Sequence, residues 1–205
     1  MHFDSTFADL EIKKEQKIYD LLKNYWKNLE ELIFSSHITI LPSSITNLKK
    51  LNLLILGENA KINNLFSLKN LSNLTYLEID NYNKPLYNSL DNLVKLEELY
   101  MGNFNQPLGE SLYKLEKLKK LTMVEFNQPL NNSLSMLKNL EKLILSSYEL
   151  KPIELNKINK NKLKEIVSRN PFSSNISNIQ LINAPMITNE DDEFMYDEFM
   201  YRLND

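Results

Sequence analysis

The sequence contains no cysteine, and that absence removes disulfides, thiolate zinc sites, redox motifs and cysteine-thioester chemistry together. Histidine is almost as scarce: His2 and His37 leave little for a catalytic triad or a metal cluster. No apolar run approaches the roughly 18 residues that a membrane-spanning helix requires. The opening stretch MHFDSTFADL lacks the basic-then-apolar succession of a secretory signal, so an intracellular, cytoplasmic protein is expected. Glycine is nearly absent, with three residues, whereas leucine (37) and asparagine (28) dominate the 205 positions. That bias, with frequent Lys and Ile, reads as the output of an AT-rich genome rather than as a chemical requirement.

A marked excess of either charge is confined to one place. The net charge is −3, yet residues 184–205 hold seven acids against Arg202, which leaves the rest of the chain near neutral. Such a body offers no electrostatic footprint for nucleic acid or a membrane surface.

What the chain does have is a repeat. Leu29, Leu51, Leu74, Leu96, Leu118 and Leu140 are spaced by 22 or 23 residues, and each opens the pattern L-x-x-L-x-(aliphatic or Phe). A degraded seventh unit begins at Leu163, and residues 176–181 are expected to form a last strand. The alternation within each start puts two side chains on one face of a short strand and the residue between them on the other. One strand per repeat then stacks into a parallel sheet. The second half of each unit carries its own inward leucines, such as Leu86, Leu90 and Leu93, at spacings that predict a helical turn or two on the outer side. No single unit can bury its own face, so stability must come from stacking.

These residues resemble the leucine-rich repeat proteins over about residues 29–168, and the segment 38–56, ITILPSSITNLKKLNLLIL, is similar to their intracellular type. Where that family usually places Asn eight residues after the first Leu, only Asn59 matches. His37, Tyr82, Phe104, Phe126 and Tyr148 take the other turns. The segments Tyr82-Asn-Lys-Pro-Leu86, Phe104-Asn-Gln-Pro-Leu108 and Phe126-Asn-Gln-Pro-Leu130 are similar to the FNIP-type subgroup of 22-residue repeats, found in social amoebae and in giant viruses that infect amoebae. The resemblance implies an α/β solenoid: a right-handed leucine-rich repeat coil with a short parallel strand per repeat on the concave face and short helical or irregular convex segments. If the chain is viral, it also implies the host cytoplasm as its location. Tyr82, Phe104, Phe126 and Tyr148 are expected to stack as a continuous edge-to-face or offset spine, with Pro85, Pro107 and Pro129 presetting φ beside them. The F-N-Q-P-L element reads as a folding device without a binding role.

A solenoid has open ends. Residues 1–28 are expected to supply an N-terminal capping helix, with Ile18, Leu21, Leu22, Tyr25, Trp26 and Leu29 on one apolar face running into the first repeat. The repeats occupy 29–170. Residues 171–205 form a C-terminal cap and acidic tail containing the duplicated Asp-Glu-Phe-Met-Tyr at 192–196 and 197–201. The tail's charge suggests that it folds back toward Lys120 and Lys142.

Residues between the framework leucines face the concave sheet, and the candidate partner-binding surface there comprises Tyr76, Glu78, Glu98, Tyr100, Lys120, Thr122 and Lys142. Exposed Tyr among charges is the composition of a protein-binding hot spot. Glu78 and Glu98 fall on diagonal positions of adjacent strands, about 7–8 Å apart, a separation that an inverting glycosidase also uses. A single sheet layer, however, offers no enclosure to set their pKa values apart, so no catalytic residue is assigned. Asp80, Asn81 and Asn103 lack a ligand pattern, so neither a metal nor another cofactor is expected. The resulting expectation is a non-enzymatic protein-protein interaction module, a monomer or a self-associating chain, binding a protein and neither nucleic acid nor membrane. The competing readings are a self-assembling repeat protein and a substrate-recognition subunit for ubiquitin transfer acting in trans.

Overall fold

A computed structural model describes residues 7–9, 26–34, 38–146, 158–168 and 179–183. Their strands form one parallel sheet in chain order: β1 (Phe7–Asp9), β2 (Glu31–Phe34), β3 (Leu53–Leu56), β4 (Tyr76–Ile79), β5 (Glu98–Met101), β6 (Lys120–Val124), β7 (Lys142–Ser146), β8 (Glu165–Ser168) and β9 (Gln180–Asn183). Register follows the sequence repeat without slippage. Leu77 pairs with Leu99, Leu99 with Leu121, Leu121 with Leu143, and Leu143 with Ile166. A slip of one residue would turn this leucine row out to solvent, so the buried face sets the register. Among the described residues the last strand, β9, shares residues 180 and 181 with the strand expected at 176–181, of which 176–178 lie outside the described residues, and β8 is the degraded unit expected after Leu163.

Among the described residues, the outer halves of the repeats are not α-helical. Residues 43–47 and 66–70 are 3₁₀ helices, and the later repeats close through consecutive turns. The hydrogen bonds explain why. Leu68, Leu71 and Leu74 each donate their backbone N–H to the carbonyl three residues earlier. The same chain of bonds links Leu90, Leu93 and Leu96, then Leu112, Leu115 and Leu118, then Leu134, Leu137 and Leu140. A spacing of three matches the three residues per turn of the 3₁₀ form, so each third residue returns to the inner side. These leucines are at most 2% exposed. The fold is thus a β-solenoid of about six turns with little helix, and the α/β label overstates its helical content.

Two positions in each of the central repeats have left-handed backbone. One, just after the strand, is held by Asn81 (φ 52°), Asn103 (φ 52°) and Glu125 (φ 62°); the other by Tyr87 (φ 49°), Gly109 (φ 54°) and Asn131 (φ 46°). Asparagine tolerates that region better than other residues with a Cβ. In this glycine-poor chain, asparagine does part of what glycine does elsewhere, which corrects its reading as a mere compositional bias.

Asparagine also ties successive turns together. Asn83 Oδ1 accepts from the backbone N–H of Asn105 (3.0 Å) and from Gln106 Nε2 (3.1 Å). One repeat on, Asn105 Oδ1 accepts from the N–H of Asn127 (2.9 Å) and from Gln128 Nε2 (3.2 Å). The Asn-Gln pair of the F-N-Q-P-L element is therefore a ladder built one residue beyond the aromatic. Inside it, Phe104 and Phe126 stack in parallel, with centroids 6.3 Å apart and planes 2° from parallel, an offset rather than an edge-to-face arrangement. Tyr82 is buried at the equivalent position, whereas Tyr148 lies outside the described residues.

At the N-terminal edge, β1 pairs with β2, a strand not expected from the sequence. Trp26 and Leu29 are buried, but residues 10–25, which carry most of the expected capping helix, lie outside the described residues. The acidic tail from 184 onward lies outside them as well. No helix among the described residues is long and apolar enough to cross a membrane.

Candidate functional site

Alternation along β4 to β7 sends Leu77, Leu99, Leu121 and Leu143 into the core and presents the residues on either side of each to the concave face. Across the face, Tyr76 stands opposite Glu98, Glu78 opposite Tyr100, Glu98 opposite Lys120, and Tyr100 opposite Thr122. Glu78 and Glu98 are diagonal neighbours, as the repeat spacing predicts. Six residues of the candidate surface, with Leu99, line a shallow hollow of about 290 Å³: Tyr76, Glu78, Glu98, Tyr100, Lys120 and Thr122. Lys142, the seventh, lies one strand beyond, opposite Lys120.

Exposure is uneven along the face. Tyr76, Glu78, Glu98, Tyr100 and Lys120 are half-buried, and so are Ile33 and Ile55 toward the N-terminal end. Thr122, Ile144 and Val167 are buried, at 2%, 1% and 0% exposure, although they too lie on the concave side. Burial is thus confined to one column of the face, whereas Lys142 and Glu165 beside it are half-buried and Gln180 is exposed, and Thr122 offers little contact area.

Electrostatics in the hollow are dominated by carboxylates. Tyr76 Oη donates to Glu78 Oε2 at 2.8 Å. Burial, followed by the Glu78 charge and this hydrogen bond, holds the Tyr76 phenol far above its ordinary pKa, so it stays a neutral donor. Just past β4, burial pushes the Asp80 carboxyl up to about 7, with the charges of Glu78 and Glu58 adding to the effect. Burial lowers the Lys120 pKa; Glu98 opposes that shift, Lys142 adds to it and Glu165 opposes it. Lys142 is itself ion-paired with Glu165 at 3.1 Å. The two lysines toward which the acidic tail was expected to fold thus already have carboxylates nearby.

Two contributors to the site escaped the sequence reading. Gly102, in the turn after β5, has no side chain because the Asp80 carboxylate occupies that space: a Cβ there would lie 2.0 Å from Asp80 Oδ1 and 3.3 Å from Tyr100 Cε1. Glu58 acts on Asp80 from the equivalent turn of the preceding repeat, where Asn81 Nδ2 donates to its carbonyl at 2.5 Å. The repeat places residues 58, 81 and 103 in line, but only the folded turns reveal which charges meet. Asn81 and Asn103 thus serve the turns through their left-handed backbone, and the Asn103 amide lies 2.6 Å from Asn81 and 2.7 Å from Glu125.

No model of a known protein family matches the chain, and no curated protein does. Solved structures do. An internalin, InlF, from Listeria monocytogenes aligns over 81% of this chain with a TM-score of 0.58 and 18% identity. A second Listeria monocytogenes internalin, InlC2, aligns over 72% with a TM-score of 0.59 and 25% identity. The leucine-rich repeat protein LIC12759 of Leptospira interrogans aligns over 87% with a TM-score of 0.52 and 17% identity. This chain spans 57%, 64% and 59% of those three proteins respectively. The structural neighbours are leucine-rich repeat proteins, and the parallel-strand solenoid described above has their fold.

Proposed function

We propose that this solenoid is a non-enzymatic protein-protein interaction module that engages a protein partner through the centre of its concave sheet, with Tyr76 and Tyr100 as anchors and Glu78, Glu98, Lys120 and Lys142 setting polarity. The observation that carries this reading is the hollow between β4 and β6, where two half-buried tyrosines stand among charged groups on a rigid sheet. Rigid aromatic side chains contribute large contact area at small entropic loss, which is why they anchor interfaces. Fold analogy adds a prior and no more. The F-N-Q-P-L segments support placing the chain with the FNIP-type repeats.

The test is affinity capture from the native host's lysate, comparing the wild type with a Tyr76→Ala/Tyr100→Ala variant whose unfolding midpoint matches it. A partner retained by the wild type and lost by the variant supports the reading. Equal capture by both removes the concave centre from consideration, and capture of the chain's own copies alone favours self-assembly.

A further inference from the structure

The concave hollow has a sign as well as a shape. Of its lining residues, Glu78 and Glu98 are acidic and Lys120 is basic. Asp80, just past β4, interacts electrostatically with Glu78 and Glu58, and because burial pushes its carboxyl up to about 7 it adds only a partial charge at neutral pH. Glu31 lies exposed on the same face toward the N-terminal end. Lys142, the other cation of the candidate surface, is taken up by Glu165. From β2 to β6 the face therefore carries three carboxylates, Glu31, Glu78 and Glu98, against Lys120, and Glu78 and Glu98 are half-buried, where an opposite charge acts more strongly than in water.

Aromatic surface accompanies that charge. Tyr76 and Tyr100 lie on neighbouring strands and both line the hollow, with Tyr100 Cε1 close to the space above Gly102. The Tyr76 hydroxyl is committed to Glu78 and orients that carboxylate. A volume of about 290 Å³ lies near the lower limit of small-molecule pockets, suited to one side chain rather than to an extended ligand. Aromatic faces beside carboxylates favour a planar, weakly hydrated cation, which stacks on a ring and pairs with a carboxylate at once.

Building on the concave-face reading, we infer that the hollow between β4 and β6 is a receptor for an arginine side chain of the protein partner, its guanidinium placed between Glu78 and Glu98 and against the tyrosine rings. The partner is accordingly a protein with a basic segment that crosses the sheet. Charge complementarity rather than apolar burial then selects it.

The experiment uses an acetylated, amidated tri-arginine peptide as probe and its tri-citrulline counterpart, which keeps the shape and removes the charge, with binding to the full chain measured by calorimetry. Tri-arginine is expected to bind at least about ten-fold more tightly than tri-citrulline, and Glu78→Gln/Glu98→Gln is expected to weaken it by about ten-fold or more. The amide that Glu78→Gln introduces can still accept the Tyr76 hydroxyl, so that variant is expected to retain its unfolding midpoint. Glu110→Gln/Glu116→Gln, an equal charge change on the convex side, is expected to leave affinity within about two-fold, because distant exposed charges are screened. Absence of tri-arginine binding, equal affinity for tri-citrulline, or equal weakening by both double variants overturns the inference. If native-partner capture still depends on Tyr76 and Tyr100 in that case, the arginine receptor is wrong and the concave-face reading stands. Capture indifferent to the tyrosines overturns that reading itself.

Discussion

Asp80 and Gly102 share one space: the Asp80 carboxylate, carried at the end of β4, sits where a side chain on Gly102, one turn later, would begin. The contact is between a side-chain end and a missing Cβ, so it is specific to this pair of repeats and invisible in their alignment. Gly102→Ala is expected to destabilise the protein by about 1–3 kcal/mol through overpacking. In the Asp80→Ala background the same substitution is expected to be nearly neutral apart from the residual approach to Tyr100. Urea denaturation of the four chains gives the coupling energy, and additive effects would contradict the shared space.

The same carboxyl makes stability depend on pH. Its pKa rises from about 3.8 to about 7 on folding, so between those values the folded state binds more protons than the unfolded one. Stability then falls as pH rises through that window, and the full penalty is present above it. Asp80→Asn keeps the shape and removes the titration. The variant is expected to be more stable than the wild type at pH 8 and to converge with it near pH 4, as followed by unfolding midpoints across that range. A constant difference would rule out Asp80 as the source.

Asn105 lies at the middle of the inter-turn ladder, where its Oδ1 receives both the Asn127 N–H and the Gln128 amide. Removing the acceptor leaves a partly buried backbone donor without its partner. Asn105→Ala is expected to lower stability by about 1–3 kcal/mol, while Asn105→Asp, which still accepts both bonds, is expected to retain most of it. Equal losses in the two variants would show that the ladder does not stabilise the turns.

Tyr87 occupies a left-handed position at which the next two repeats have Gly109 and Asn131, and it is 66% exposed. Strain there is not repaid by burial. Tyr87→Gly is expected to gain up to about 1 kcal/mol, because relief of a strain of about 1–2 kcal/mol outweighs glycine's greater unfolded-state entropy, and Tyr87→Asn is expected to act in the same direction. A thermal melt showing a loss in both variants would mean that the ring makes stabilising contacts.

The residues that line the hollow, though not the hollow itself, were legible in the sequence. Once the 22-residue period places Leu77, Leu99 and Leu121 in one row, alternation alone puts Tyr76, Glu78, Glu98 and Tyr100 side by side on the other face. The accessibility of each was not legible in the same way. Thr122, Ile144 and Val167 follow the same alternation and are nevertheless buried. A periodic pattern says which face a residue takes and nothing about what stands over it.

Period and alternation dictate the parallel stack from β2 to β8, its register and the row of inward leucines. Folding adds the 3₁₀ turns at 43–47 and 66–70, the capping of each following repeat's backbone by Asn83 and Asn105, and the placement of Asp80 beside Glu78 and Glu58 over Gly102. The 3₁₀ turns close through local bonds three residues apart, whereas the caps and the Asp80 contacts join residues about 22 positions apart, at distances that the stacking of turns sets. Burial then changes the protonation of the groups brought together, a property that no residue carries on its own.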